Sequence, residues 1–402
     1  MTAKLFYSLL LTGLLLIGCS KDEDISPDSN ASKGTATINF GTKQQNIRGF
    51  GGANIVGWVS DLTSDQRTKA FSTSSGIGLS VLRVRVSPNS GDWSSNNATI
   101  SAAKSNGAMV IASAWSAPAS MKDNNNLIGG KLLTSAYSSY ATHLKNFCST
   151  VGGVSAISPS NEPNITVSYE SMKMSGSEVA AFVASQGSNC GASIMAPEPF
   201  NMDASFISSY CSNSTAKSKT GYICGHIYGV SSNPPSINQG KEVWMTEHIT
   251  DTNYGNTWSS AMNTAKEIYN CMTKGYNMWV WWYIKRSYGL INDGGSITKR
   301  GYAVAQYARY VRPGAKKVDC SSNPTSGVYV TAYDSGGKLV IVAINQNSST
   351  TYQAFQVNGK SISGFNRYRT SSSSNLAQDS FSAGTSFGIN LPASSITTLV
   401  SY

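Results

Sequence analysis

Short apolar runs that alternate with helix-forming stretches are the feature that most constrains this sequence. Eight such runs occur between residues 48 and 283, and most are followed by a stretch in which apolar residues recur at helical spacing. Parallel strands need a crossover, and a helix is the usual one, so this alternation predicts an α/β fold. The predicted strands lie at 48–52, 79–86, 109–114, 154–157, 194–197, 222–228, 243–247 and 278–283.

Eight strand–helix units close a (β/α)8 TIM barrel, which typically takes about 250 residues. The rival architecture is a doubly wound open sheet, but the sequence contains no G-x-G-x-x-G and no phosphate-binding loop to support it. Thr63 with Gln66, and Ser175 with Glu178, have the spacing of capping boxes and predict two helix starts. We therefore predict that residues 47–312 form a catalytic barrel.

The sequence pattern changes beyond residue 312. Short alternating strands at 329–333, 339–345, 352–357 and 397–402 are separated by Gly-Gly, Asn-Gly and serine-rich turns, which predicts a β-sandwich over residues 313–402. The alternating run 35–40 precedes the barrel, and we expect the segment 35–46 to add a strand to that sandwich. The 402 residues of the chain accommodate a barrel and this smaller side-associated domain.

The N-terminus has the pattern of an export signal. Its apolar run over residues 5–17 is too short for a membrane span. Leu16-Ile17-Gly18-Cys19 resembles a bacterial lipoprotein box, in which Cys19 is lipidated; the alternative is an ordinary secretory signal. Lys21-Asp22-Glu23 resembles a surface-export signal of Bacteroidetes lipoproteins. We thus predict a signal peptide over 1–19, a polar tether over 20–34 and a lipid-anchored protein on the outer membrane surface.

Cysteine and histidine usage argues against a metal site. Six cysteines remain after Cys19, an even number that is compatible with disulfides in an exported chain. Proximity favours Cys148 with Cys190 and Cys211 with Cys224, and other pairings remain open. No Cys/His cluster has zinc spacing and the chain contains three histidines, so we expect no metal and no cofactor.

The charge balance favours an acidic partner. The chain carries 31 Lys and Arg against 21 Asp and Glu, a formal net charge of +10. Such an excess favours anionic ligands, and the alternative is simply a basic surface. Because no Lys/Arg run or nucleic-acid motif accompanies the charge, an acidic polysaccharide is a better candidate than DNA. We expect a monomer that binds polysaccharide and no nucleic acid.

Two glutamates follow predicted barrel strands and form the candidate catalytic pair. Glu162 follows the run 154–157, and Pro163 is expected to hold its backbone extended and to prevent a helix from starting there. Glu247 ends the run 243–247. The C-terminal ends of barrel strands form the active-site face of this fold, so both carboxylates should meet there. Two carboxylates that flank one bond suit glycoside hydrolysis.

Other residues compete for, or add to, this predicted site. Asn161 is placed to hydrogen-bond a sugar hydroxyl, and its alternative is a plain turn residue. Glu198 ends the fifth predicted strand and is a rival carboxylate, ranked behind Glu162 because no asparagine precedes it. Trp115 and Trp282 are candidate walls on which the C–H faces of a sugar stack, with burial in the core as the alternative.

Several motifs together resemble glycoside hydrolase family 30, and within it the bacterial glucuronoxylanase subfamily 8. Asn161-Glu162-Pro163 with a later strand-ending glutamate is similar to retaining (β/α)8 glycosidases generally. The narrower resemblance covers the whole mature chain through residues 48–52 (RGFGG), 115–118 (WSAP), 244–248 (WMTEH), 282–289 (WYIKRSYG) and 299–302 (KRGY). It implies that Glu162 is the acid/base and Glu247 the nucleophile. It also implies an endo-acting retaining enzyme that cuts the β-1,4-xylan backbone near 4-O-methylglucuronic acid branches.

The resemblance assigns recognition of that acidic branch to Arg286. A guanidinium binds a uronate carboxylate through two parallel hydrogen bonds, which a neutral xylose cannot accept in the same way. Lys285 and Ile249 depart from the family pattern, where a second arginine and a tyrosine are usual, so weaker or differently arranged uronate binding is expected. The residues expected to assist Arg286 are Tyr283, Ser287 and Tyr288.

The resemblance also makes Arg83 a hydrogen-bond partner that keeps Glu247 ionised. His226 and Tyr228, on the sixth predicted strand, are expected to line the cleft or to orient Glu247. Three alternatives remain: a xylobiohydrolase, a β-glucosidase-type relative of the family, and a surface glycan-binding lipoprotein built on an inactive barrel. The presence of both glutamates favours an enzyme.

Overall fold

The computed structural model describes residues 34–250 and 256–402, which form a closed eight-stranded barrel and a nine-stranded side sheet. Cys19, the signal peptide and almost all of the tether lie outside the described residues. In the part that is described, none of the helices combines the length and the apolar character that crossing a membrane requires.

The barrel confirms the predicted (β/α)8 fold. Its eight strands are parallel, pair in chain order and close by pairing of the last with the first. Strand β1 (Thr35–Asn46) precedes them in the chain and belongs to the side sheet. The barrel strands are β2 (Gly49–Ala53), β3 (Val81–Arg85), β4 (Met109–Ser113), β5 (Ala156–Ser158), β6 (Ser193–Pro197), β7 (Thr220–His226), β8 (Glu242–His248) and β9 (Met278–Tyr283).

Helices cover the outside of the barrel. Both predicted capping boxes are present: the Thr63 and Ser175 side chains accept from the backbone N–H three residues on, and Gln66 and Glu178 bond back. The described helices are α1 (Ser64–Phe71), α2 (Asn97–Ser105), α3 (Tyr137–Thr150), α4 (Gly176–Gln186), α5 (Ala204–Cys211), α6 (Ser214–Lys219), α7 (Trp258–Thr273) and α8 (Lys299–Ala308). Short 3-10 turns lie at Ser90–Asn96, Ala119–Met121, Thr134–Ala136 and Gly187–Asn189.

The glycines of the first barrel strand allow close strand packing. A Cβ atom added to Gly51 would lie 2.3 Å from the Val81 carbonyl oxygen of the neighbouring strand. Any side chain would therefore push β2 and β3 apart at this point.

The barrel interior consists of two layers that follow from the period of the strands. The lower layer is apolar, and it includes Val81, Ile111, Cys224 and Trp244. Side chains two residues further along a strand point to the same side, so the next layer contains Arg83, Ser113, His226 and Thr246. All four of these polar residues are fully buried. The side chains inside the barrel therefore change from apolar to polar and charged just below the active-site face.

The side domain is a single hydrogen-bonded network of nine strands with its own apolar core. β1 lies inside it, antiparallel to one neighbour (β10) and parallel to the other (β13). The remaining strands are β10 (Lys316–Cys320), β11 (Val328–Ser335), β12 (Lys338–Asn345), β13 (Thr351–Asn358), β14 (Gly364–Thr370), β15 (Ala377–Ser382), β16 (Ser386–Leu391) and β17 (Ser395–Ser401). Four of them, β10, β14, β15 and β16, were not predicted from the sequence.

The predicted disulfides are wrong, since all six cysteines of the described residues are free thiols. Cys224 faces the barrel interior, whereas Cys211 lies on α5 in the layer between strands and helices, so the strand wall separates them. Cys148 lies near Cys190, and its thiol donates to the Cys190 carbonyl oxygen at 3.6 Å.

Candidate active site

Glu162 and Glu247 meet at the C-terminal end of the barrel, in a cleft of about 680 Å³. A carboxylate oxygen of Glu162 lies within 4.8 Å of a carboxylate oxygen of Glu247. Both side chains are nearly buried, at 6% and 5% exposure, yet both line the cleft. The two candidate catalytic groups therefore face the same small volume.

The backbone at Glu162 is left-handed, with φ of 46°, so the expected extended conformation is wrong. Strand β5 ends at Ser158, and an irregular segment carries the chain to Glu162. Pro163 disfavours the right-handed helical conformation for Glu162. It does not by itself select the left-handed one, which contacts with neighbouring residues hold in place. The Glu162 N–H donates to the Glu198 carbonyl oxygen at 3.0 Å and the Asn161 N–H to the Ala114 carbonyl oxygen at 2.8 Å. Such strained backbone is typical of functional sites.

An irregularity in β8 brings Glu247 into the cleft. The pairing register with β7 shifts between Met245 and Glu247. In a regular strand, Thr246 and Glu247 would point to opposite faces, but here Thr246 bonds within the lumen while Glu247 lines the cleft. Register shifts of this kind re-aim side chains next to active sites.

Arg83 connects the carboxylates from below. Its Nη1 donates to Glu247 Oε2 at 2.6 Å, and its Nη2 donates to Asn161 Oδ1 at 2.6 Å and to Glu198 Oε1 at 3.1 Å. The guanidinium is fully buried and lies 4.6 Å from the Trp115 ring. The Arg83–Glu247 contact expected from the sequence is therefore present, and Asn161 faces the arginine.

His226 and Tyr228 bond to different glutamates. The Tyr228 hydroxyl donates to Glu247 Oε1 at 2.7 Å, and His226 Nδ1 lies 2.8 Å from Glu162 Oε1. Burial disfavours the imidazolium, but the carboxylates of Glu247, Glu162 and Glu198 outweigh it and raise the pKa of His226 to about 9. A protonated His226 donates to Oε1 of Glu162, which leaves Oε2 to carry a carboxylic proton.

Burial raises the pKa of Glu162, and the negative charge of Glu247 adds to that effect, against the opposing hydrogen bond from His226. Glu247 accepts hydrogen bonds from Arg83 and Tyr228. The Glu162 carboxyl group is thus favoured in its protonated form, while the Glu247 side chain accepts hydrogen bonds from two donors. These are the environments that an acid and a nucleophile require.

Aromatic side chains form the walls of the cleft. Trp115 is almost fully buried and Trp282 half-buried, with ring centroids 5.7 Å apart. Three lining residues were missed from the sequence: Trp58, Tyr169 and Phe200. The first two come from loops after β2 and β5. The available sequence signal for them was an aromatic residue shortly after the end of a predicted strand. Tyr169 is the most exposed of them and lies 3.5 Å from Glu162 Oε2.

The predicted uronate-binding segment lies at the edge of the cleft. Tyr288 and Ile249 line the cleft itself, whereas Tyr283 is buried behind it with Trp115. Arg286 is exposed, its guanidinium lies 5.3 Å from the Tyr283 ring, and it lines a neighbouring pocket with Lys285 and Trp58. Ser287 is exposed, and its carbonyl oxygen accepts from Asn256. The structure therefore brings Tyr288 to the cleft and leaves Tyr283 and Ser287 outside its lining.

Among the described residues, the group that could approach one metal ion consists of Glu162, His226 and Glu247. Arg83 already contacts Glu247 at 2.6 Å, and the raised pKa of His226 adds a second positive charge. Two cations at the site oppose the binding of a third.

No family model matches the sequence. Glucuronoxylanase XynC of Bacillus subtilis (strain 168) is 36% identical over 385 residues, which cover 90% of this chain and 91% of that protein. A glycoside hydrolase family 30 subfamily 8 xylanase from Clostridium acetobutylicum aligns with a TM-score of 0.85 and 32% identity, over 91% of this chain and 99% of the other. An endoxylanase from Clostridium papyrosolvens C71 aligns with a TM-score of 0.84 and 31% identity, over the same two shares.

Proposed function

The chain belongs to the glucuronoxylanases of glycoside hydrolase family 30, and we propose that it cleaves the β-1,4-xylan backbone of glucuronoxylan internally, with retention of configuration. The observation that carries this proposal is the approach of Glu162 to Glu247, within 4.8 Å between carboxylate oxygens. Retaining glycosidases hold their carboxyl groups about 5 to 5.5 Å apart, whereas inverting enzymes need a wider gap to admit a water molecule.

In the first step, the Glu162 carboxylic acid protonates the oxygen of the leaving xylan chain while Glu247 attacks the anomeric carbon. The bond to the leaving oxygen breaks as the bond to Glu247 forms. In the second step, Glu162 takes a proton from water, and the water oxygen displaces Glu247 to restore the original configuration. Arg83 and Tyr228 stabilise Glu247 each time it leaves as a carboxylate.

We assign recognition of the acidic branch to Arg286. No carboxylate within the described residues forms an ion pair with its guanidinium, and the side chain is exposed beside the cleft. A uronate carboxylate would supply two acceptors for its donors. Ile249 contributes no hydrogen bond from its side chain at the cleft wall, which supports a larger share of uronate binding for Arg286.

Replacing Arg286 by methionine is expected to reduce kcat/KM on glucuronoxylan by about 100-fold, because two charge-assisted hydrogen bonds to the branch are lost. The rate on unbranched xylan should change by less than about threefold. Product analysis on both substrates, before and after the substitution, measures the effect. Lys145→Met, which removes an exposed positive charge on α3, is the control and should leave both rates unchanged. An equal loss on both substrates would contradict the assignment.

We also propose that the protein is an exported lipoprotein, anchored through Cys19 to the outer membrane surface, and that it acts as a monomer. The lipobox-like residues 16–19 and the polar segment that follows them support this proposal. The anchor would hold the enzyme where polymeric xylan is accessible.

Expression with a labelled fatty acid tests the anchor. Label is expected in the wild-type protein and absent from Cys19→Ser, because the thiol is the acyl acceptor. The same substitution should shift the protein from the membrane fraction to the soluble fraction. Equal labelling of both proteins would overturn the anchor without affecting the enzymatic proposal.

A further inference from the structure

A third glutamate, Glu198, lies in the ionic layer of the barrel lumen beneath the catalytic pair. It was the rival candidate from the sequence, but its side chain is fully buried and does not line the cleft. A carboxylate in this position cannot contact the substrate. It nevertheless contacts both positively charged residues that touch the catalytic glutamates.

We propose that Glu198 is a positioning residue: its carboxylate fixes Arg83 and His226 beneath Glu162 and Glu247, and its negative charge offsets theirs, so that Glu162 keeps its proton during catalysis. This inference rests on the proposed role of Glu162 as acid/base. Glu198 acts through its neighbours rather than on the sugar.

The contacts of Glu198 converge on one oxygen. Oε1 accepts from Arg83 Nη2 at 3.1 Å, from Ser113 Oγ at 3.0 Å and from Thr246 Oγ1 at 2.7 Å. His226 Nε2 lies 3.5 Å from the same oxygen, and the other ring nitrogen of His226 contacts Glu162. Donors from three different strands and the His226 ring from a fourth thus surround the carboxylate, which fixes its position.

The backbone of Glu198 is also linked to the site. Its φ is 58°, left-handed like that of Glu162, and a proline follows each of the two residues. The Glu198 N–H donates to the Cys224 carbonyl oxygen at 3.0 Å, while its own carbonyl oxygen accepts from the Glu162 N–H at 3.0 Å. One residue therefore holds the main chain of the acid/base and, through its side chain, the charges beneath it.

A count of charges shows why the carboxylate is needed. Arg83 and His226 are positive, Glu247 and Glu198 are negative, and protonated Glu162 is neutral, so the cluster is balanced. Burial opposes ionisation of Glu198, but Arg83 and His226 outweigh that cost and lower its pKa to about 2. Loss of the Glu198 charge would leave a net positive charge in the barrel interior. Glu162 and His226 would then release their protons at lower pH.

Among the described residues, the other tyrosine and cysteine side chains that face this cluster remain uncharged. Tyr169, Cys224 and Tyr228 are kept neutral, because burial raises the pKa of each. The groups of the cluster whose raised pKa values govern its loss of protons are thus Glu162 and His226, which share a hydrogen bond. The groups that face Glu198, His226 or Glu162 are Arg83 from β3, Tyr169 from the loop after β5, Cys224 from β7, Tyr228 from the loop after β7 and Glu247 from β8.

The test is the pH dependence of kcat/KM, which reports the ionisations of the free enzyme. Glu198→Gln retains the volume and one acceptor oxygen but removes the charge. The basic limb of the profile, where the acid/base pair loses its proton, is expected to move to lower pH by about 1 to 3 units. Glu198→Asp keeps the charge and should restore most of that shift. Reduced activity without a shift of the limb would overturn the proposal, since loss of packing alone moves no limb.

A second measurement does not depend on activity. The chain contains three histidines, so NMR can follow the imidazole of His226 directly. His226 is expected to remain protonated at pH 7 in the wild type and to lose its proton at lower pH in Glu198→Gln. A neutral His226 at pH 7 in the wild type would overturn the inference even if the variant failed to fold. An inactive enzyme with the expected His226 titration would instead contradict the proposed function alone.

Glu267→Gln is the matched control. Glu267 is also a buried carboxylate, and it accepts from the other strand-end histidine, His248, at 2.7 Å. Its substitution removes a buried negative charge elsewhere in the barrel, and His226 and the basic limb should stay at their wild-type positions. A shift of the His226 titration by this control would show a general response to charge removal and would overturn a specific role for Glu198.

Discussion

Replacement of Glu247 by glutamine is expected to lower kcat on glucuronoxylan by about 10⁴- to 10⁶-fold. A neutral amide cannot attack the anomeric carbon, so the covalent step is lost. The change is nearly isosteric, and the one amide oxygen keeps the hydrogen bond either from Arg83, which donates to Oε2, or from Tyr228, which donates to Oε1. The cleft should therefore keep its shape, and KM for the polysaccharide should remain within about threefold of the wild-type value.

The release of reducing ends measures this loss, and chemical rescue identifies its cause. In Glu247→Ala, azide is expected to occupy the space of the missing carboxylate and to yield an α-glycosyl azide, the product of a single displacement on a β-linked substrate. The control is Glu242→Gln at the opposite end of β8, where the carboxylate pairs with Arg48 at 2.7 Å. That variant should keep wild-type kcat. Residual activity of Glu247→Gln within about tenfold of the wild type would refute the nucleophile assignment.

Replacement of Glu162 by alanine is expected to reduce kcat/KM on glucuronoxylan by about 10² to 10⁴, the usual contribution of general acid catalysis. The basic limb of the pH profile should disappear, because it reports the loss of the Glu162 proton. That proton is held above its ordinary range by burial, which raises the pKa of Glu162. Activity of the wild type is therefore present below the raised pKa and is lost as the pH rises through it.

The leaving group distinguishes this role from a structural one. A dinitrophenyl xylo-oligosaccharide needs no protonation to depart, so its first step should be almost unaffected in Glu162→Ala. Azide should accelerate the second step and give a β-glycosyl azide, opposite in configuration to the product from Glu247→Ala. Equal losses on the natural and the activated substrate would count against Glu162 as the acid.

Much of the barrel could be predicted from the sequence, because apolar runs of four to eight residues mark buried parallel strands. The family assigned from the motif at 282–289 is confirmed. The strands β14, β15 and β16 were missed because they are rich in polar residues and partly exposed. Along Ala377–Ser382, for example, every residue is exposed or half-buried. Local periodicity is weak in such strands, and their partners lie far along the chain.

The site was predictable where the relevant residue ends a strand, and less so where tertiary contacts decide. Glu162 was found through its neighbours, yet its left-handed backbone depends on the hydrogen bond to Glu198, which no local pattern encodes. Trp58 and Tyr169 reach the cleft from loops whose course the sequence does not specify. Glu198 was identified as a carboxylate at a strand end, but its complete burial follows only from packing within the closed barrel.

The position of β1 has a consequence for how the protein is made. This strand is synthesised before the barrel, but both of its neighbours in the sheet come after the barrel, and Thr37 bonds to Ser321 at a separation of 284 residues. Contacts this distant in sequence form slowly, because a long loop must close first. β1 therefore remains unpaired until the C-terminal part of the chain has been synthesised. A chain that ended after α8 would expose both edges of β1 to association with other molecules.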